Sequence, residues 1–140
     1  MLTTFIGDRI KGVLGVTSAA VISTSAIATA IIDRLGFNTV ILAVATGASS
    51  GNSVTVALFE GTASDTAATA VTLNGTPAVI TTTAAAYTLY QFDVSGCERY
   101  IKVTLTPGTT TSLMIGANFI LGDAVNNPGS GTAVSILAKA

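Results

Sequence analysis

Histidine is absent from the 140 residues, and with it goes most hydrolytic chemistry. Without an imidazole there is no Ser-His-Asp or Cys-His relay, no histidine-ligated metal and no ordinary general base near neutral pH. What remains is seven carboxylates, Asp8, Asp33, Glu60, Asp65, Asp93, Glu98 and Asp123, and the single thiol of Cys97. A glycosidase needs two carboxylates facing each other across a cleft, whereas nearly all of these fall at expected strand ends or in turns. Asp93 and Glu98 flank one short connection and could meet, with Arg99 beside them; a capped turn or a surface ion pair is the simpler account. Cys97 would be a nucleophile only if a base or cation lowered its pKa, and Arg99 is the sole candidate nearby, so the residue reads as a small side chain filling a turn. Ser64, Asp65 and Thr66 are too thin an oxygen set for calcium. The glycine-rich segments contain neither a Gly-Lys-Ser/Thr nor a Gly-x-Gly-x-x-Gly phosphate cradle. The expectation is a chain that is not an enzyme, with no cofactor and no metal.

Tyr87, Tyr90, Phe92 and Tyr100 gather around the same connection. Rings presented together on a sandwich suit sugars, which keeps a carbohydrate-binding module as an alternative. Core packing plus one or two interface rings is the reading preferred for a chain without Trp.

The elements that must position these residues are strands. Thr, Val and Ile are abundant, apolar residues recur at every second position, and Gly, Asn, Asp and Ser punctuate the chain at short intervals. Residues 19–28 carry small side chains on both faces and form one strand or two short ones. After the turn Leu35-Gly36-Phe37-Asn38, residues 39–45 set Val40, Leu42 and Val44 against Ile41, Ala43 and Ala45. A strand apolar on both faces is expected to be covered on both sides. Residues 53–60 set Val54, Val56 and Leu58 against Thr55, Ala57 and Phe59. Runs at 70–73 and 78–82 flank Asn74-Gly75-Thr76-Pro77, a turn signal that predicts a hairpin. Residues 87–94 align Tyr90, Phe92 and Val94; residues 99–105 align Ile101, Val103 and Leu105 against Lys102 and Thr104. The short link between those two strands predicts a second antiparallel hairpin. Residues 112–121 bring Leu113, Ile115, Ala117, Phe119 and Leu121 into phase, with Gly116 a candidate bend or bulge. About eight strands in a chain of this size predict an all-β jelly roll or related antiparallel two-sheet sandwich with extended N- and C-terminal arms.

The expected organisation is an N-terminal arm at 1–16, a β-sandwich domain at 17–125, and a linker with a C-terminal arm at 126–140. Glycines 7, 12 and 15 make a helix in the first arm doubtful. The run Asn126-Asn127-Pro128-Gly129-Ser130-Gly131 is a linker by composition, and the apolar alternation that follows it suggests a strand that docks elsewhere. Phe5, Ile6, Ile10, Val134, Ile136 and Leu137 are the candidate interface residues.

Composition points the same way. Hydrophobic residues make up 49% of the chain and charged ones 9%, with formal net charge -1 and mean hydropathy +0.69. An average soluble chain is about a quarter charged, so this exterior is short of the charge that normally prevents association. A membrane helix needs roughly 20 apolar residues; the richest stretch, 19–32, is interrupted by Ser23, Thr24, Ser25 and Thr29, and no membrane association is expected. Asp8 stands where a secretion leader would be basic or apolar. One cysteine excludes an intrachain disulfide, which fits synthesis in a cytoplasm. No Lys/Arg run offers a phosphate-binding patch, so no nucleic-acid partner is expected.

Several segments carry a family resemblance: Tyr90-Gln91-Phe92-Asp93, Cys97-Glu98-Arg99-Tyr100-Ile101-Lys102-Val103, Gly116-Ala117-Asn118-Phe119-Ile120-Leu121-Gly122-Asp123-Ala124 and Asn127-Pro128. With Ala30-Ile31-Ile32-Asp33-Arg34-Leu35-Gly36-Phe37-Asn38-Thr39-Val40, they span residues 26 to 128 and resemble small head proteins of tailed bacteriophages, including capsid decoration or cement proteins. The resemblance implies a jelly-roll or sandwich subunit made in the host cytoplasm that assembles, often as a homotrimer, on the exterior of the virion capsid. There it would tie neighbouring major capsid proteins together. A tail, fibre or adaptor protein of the same virion is the alternative.

Overall fold

A computed structural model describes residues 10–21, 24–49, 51–109, 112–122 and 136–140. Its elements are strands: β1 (Ile10–Val21), β2 (Ile27–Ala28), β3 (Ile32–Asp33), β4 (Thr39–Thr46), β5 (Ser53–Gly61), β6 (Thr69–Ala70), β7 (Ile80–Thr81), β8 (Ala86–Asp93), β9 (Tyr100–Pro107), β10 (Leu113–Gly122) and β11 (Ile136–Ala138). They form the expected all-β, two-sheet arrangement. The first sheet has the order β1-β10-β4-β8-β11; the second has β2-β9-β5-β6, with β3 also on β9 and β7 also on β5. Every pairing is antiparallel except that of β11 with β8.

Period-two alternation decides which side chains meet between the sheets. Val40, Leu42, Val44, Phe92, Leu113, Ile115, Phe119 and Leu121 from the first sheet face Val54, Leu58, Ile101, Val103 and Leu105 from the second, all of them 2% exposed or less. Each such side chain contributes about 1.5–3 kcal/mol relative to an exposed position, so this layer holds the sheets together. Among the described strands the chain crosses between sheets at six of ten connections. As a result the partners nest: β1 with β10, β2 and β3 with β9, β4 with β8, and β5 with β6 and β7.

Both expected hairpins are corrected by the structure. β8 pairs with β4 while β9 pairs with β5, so these consecutive strands lie in different sheets. Their connection carries Val94 and Cys97, both buried, and closes with the Cys97 N–H on the Val94 carbonyl at 2.9 Å; apolar residues inside the turn let it cross the end of the core. Alternation alone does not say whether neighbouring strands share a sheet. In the second case β6 and β7 each pair with β5, through Phe59↔Ala70 and Ser53↔Thr81, and form one interrupted edge with residues 71–79 diverted from it. Burial of Val71 and Ile80 against the core favours this over pairing with each other.

Gly116 sits in regular register opposite Ala45. The irregularities are in β1, between Leu14 and Val16 and between Val16 and Ala19. At Gly15 a Cβ would lie 3.0 Å from the Ala117 carbonyl oxygen and 3.3 Å from the Phe119 ring, a close approach that suits glycine at the bulge. β4, expected to be covered on both sides, is fully covered on one by its own chain and only partly on the other: Val40, Leu42 and Val44 are buried, whereas on the opposite face Ala43 is buried, Ile41 half-buried and Ala45 exposed.

Candidate functional site

Two regions stand out, one ionic and one apolar. The ionic region lies where residues 95–99 carry the chain between the sheets. Asp33 takes a forked ion pair from Arg99, Nε to Oδ1 at 3.0 Å and a terminal nitrogen to Oδ2 at 2.6 Å, and also accepts the Leu35 N–H at 3.0 Å. These bonds hold its carboxyl down to about 2. Arg34 donates from Nε to the Glu98 carbonyl at 2.8 Å and from a terminal nitrogen to the Cys97 carbonyl. Glu60 is 5% exposed and accepts the Lys139 ammonium at 2.7 Å and the Glu98 N–H at 2.8 Å. Burial pushes the Glu60 carboxyl up, and the Lys139 and Glu98 hydrogen bonds outweigh it, so the group lies below its ordinary range and stays ionised.

The candidate chemical residues fall into this framework. Asp93 accepts the Ser95 N–H at 3.0 Å and the Ser95 hydroxyl at 2.7 Å, which lowers its pKa; it caps the turn and does not meet the Glu98 carboxylate in any hydrogen bond described. Cys97 is buried, and burial raises its pKa, the opposite of thiolate activation. Among the described residues no cluster of three or more His, Cys, Asp or Glu could hold a metal ion. Glu60 and Glu98 line a groove of about 430 Å³ with Thr62, Thr66 and Thr69, but the Glu60 oxygens are already engaged as above. Tyr90 is buried, with burial pushing its phenol up to about 12, and its hydroxyl donates to the Ala78 carbonyl at 2.5 Å. Of the aromatic group only Tyr87 is largely exposed, at 69%.

The apolar region is the outer face of the first sheet, set out by register. Gly12, Ile120, Ile41, Gln91 and Ile136 form one row across five strands. Leu14, Asn118, Ala43 and Leu89 form the next, and Gly116, Ala45 and Tyr87 a third; Met114 lies one further step along β10. No Asp, Glu, Lys or Arg occupies any of these positions. Among the described residues, six of the eight exposed large hydrophobic ones are here: Leu14, Tyr87, Leu89, Met114, Ile120 and Ile136. An exposed apolar surface of this kind is the type of surface that interaction sites present.

The residues expected at an interface divide. Phe5, Ile6 and Val134 lie outside the described residues. Ile10 opens β1 opposite Gly122. Ile136 is 39% exposed and joins the apolar face, while Leu137 is 5% exposed and fills its own chain's core. Sequence reasoning did not single out Leu14, Leu89, Met114 or Ile120. The signal was present in the two-sided apolar pattern of β4 and in the uncharged alternate set Met114, Gly116, Asn118 and Ile120 of β10, which sit side by side once the register is known.

Comparison of the chain with protein-family models, with curated proteins and with solved structures finds no match.

Proposed function

We propose that the chain is a structural virion protein that decorates and cements a bacteriophage capsid, binding as a homotrimer between major capsid proteins on the head exterior. The observation that carries this reading is the outer face of the first sheet, rich in exposed Leu, Ile, Met and Tyr and, among its described positions, charged only at Asp93 in its end row. Such a surface gains free energy when covered, at about 25 cal/mol per Å² of apolar area removed from water. A lattice supplies that cover many times over, so modest contacts per copy combine by avidity. The family resemblance of the segments between residues 26 and 128 supports the same assignment. The nested pairing of β1 with β10, β2 and β3 with β9, β4 with β8, and β5 with β6 and β7 supports a jelly-roll reading of the sandwich, an architecture used by viral capsid domains.

Two measurements test it. Size-exclusion chromatography with light scattering should give a stable trimer of the 13.9 kDa chain, and a monomer at high concentration contradicts the proposal. Immunogold electron microscopy of virions containing the chain should label the head exterior; label confined to the tail would move the assignment to a tail or fibre component.

A further inference from the structure

The last five residues occupy a slot made from both sheets. β11 lies parallel to β8, with Ile136↔Gln91, Leu137↔Phe92 and Ala138↔Asp93 in register. On its other side it meets the diverted segment: the Asn74 N–H donates to the Ala138 carbonyl at 2.8 Å, the Ala140 N–H to the Thr72 carbonyl at 2.8 Å, and the Ala138 N–H to Asn74 Oδ1 at 3.0 Å. Leu137 is buried in the core between these walls, and a Cβ on Gly75 would stand 3.3 Å from its Cδ2. Lys139 reaches the buried carboxylate of Glu60 at 2.7 Å. The slot therefore recognises an extended peptide by two rows of backbone hydrogen bonds, an apolar hole for leucine and a carboxylate for the following lysine but one.

None of these contacts depends on which molecule supplies the strand. We infer that the slot between β8 and residues 72–75 is a strand-exchange site, filled in the assembled protein by residues 136–140 of a second copy of this chain. Reciprocal exchange conserves every contact just described, so its free-energy change is confined to the connecting segment and to whatever brings the copies together. The connection, residues 123–135, spans at most ~45 Å at ~3.3–3.6 Å per residue, whereas sheets stacked face to face lie ~10 Å apart. Ile136 is itself part of the apolar face, so a copy docked there brings its own β8 within reach. The inference rests on the proposed function only in requiring that copies of the chain meet.

The test uses full-length chains in a Cys97→Ala background. Gln91→Cys and Ile136→Cys, register partners across β8 and β11, are placed on separate chains, co-expressed and oxidised, and the linked peptides are identified by mass spectrometry. The expected result is an intermolecular 91–136 link several-fold above that between Ile136→Cys and Ala57→Cys, which lies on the other sheet. Equal linking to both positions overturns the inference. So does the absence of intermolecular product while a chain carrying both Gln91→Cys and Ile136→Cys closes on itself, and failure of that doubly substituted chain to link at all removes the register on which the inference stands. Light scattering on the same samples reads the oligomer separately, so loss of exchange within an intact trimer leaves the proposed function standing.

Discussion

The two outer faces of the sandwich are built by the same alternation and end in opposite chemistry. On the second sheet the outward rows are Thr55 beside Thr106, then Ala57 beside Thr104 and Ala28, then Phe59 beside Lys102, and the Lys102 ammonium stands 5.7 Å from the Phe59 ring centroid. Hydroxyls and a cation solvate that surface. On the first sheet the corresponding rows hold Ile, Leu, Met, Tyr, Ala and Gly with Asn118 and Gln91, and polar or charged residues otherwise enter only in the end row, at Thr39 and Asp93. Both faces have strand-compatible residues, so the difference is not a requirement of folding. Under the proposed function, the first sheet is the side covered in use.

The largest effect should come from charging the apolar face. Leu89→Lys with Ile120→Lys places two unpaired cations where cover is expected, and self-association should weaken by at least ~100-fold; chromatography with light scattering reads it. Next is Leu137→Ala, which removes the leucine that closes the sandwich between β8 and residues 72–75. A cost of about 2–3 kcal/mol is expected, toward the low end for buried leucine because the site lies at an edge, and urea unfolding measures it.

Lys139→Ala should lower stability, since it strips the main partner from a buried carboxylate, by an amount moderated because the lysine is itself one-third exposed. It should also change the acid profile. Asp33, Glu60 and Asp93 all have folded-state pKa values below their ordinary ones, so their contribution is present above the unfolded carboxylate range, near pH 4–4.5, and is lost as pH falls through the folded values. The wild-type Tm should be steady down to about pH 5 and then decline, and the decline should be shallower in the Lys139→Ala protein. The smallest effect belongs to the second sheet: Thr55→Lys with Thr104→Lys should leave the oligomer intact and stability within about 0.5 kcal/mol per site.

Much of this fold was legible in the sequence. β4, β5, β8, β9 and β10 fall where the alternation of Val, Ile, Leu, Phe and Thr placed them, because a half-buried strand requires that pattern. Sheet membership was not legible. The Ser95-Gly96-Cys97-Glu98 connection resembles a hairpin turn, and only the burial of Val94 and Cys97 shows that it crosses the core. Asn74-Gly75 signals a bend but not the strand it serves, which turns out to be β11, arriving from more than sixty residues later. The ionic corner was half visible: the acids were expected in turns, yet the link from Glu60 to Lys139 is nonlocal and has no spacing signature. The apolar face needed the register, which aligns Ile120 with Ile41 and Leu89 with Ala43.

The most direct measurement is hydroxyl-radical footprinting of the native protein across a dilution series. Met114 and Tyr87, 50% and 69% exposed in the single chain, should be protected when concentrated and become reactive on dilution, while Tyr100 on the second sheet keeps one rate throughout. Equal reactivity of Met114 and Tyr87 at every concentration would show the first sheet's outer face open to water, contrary to the account.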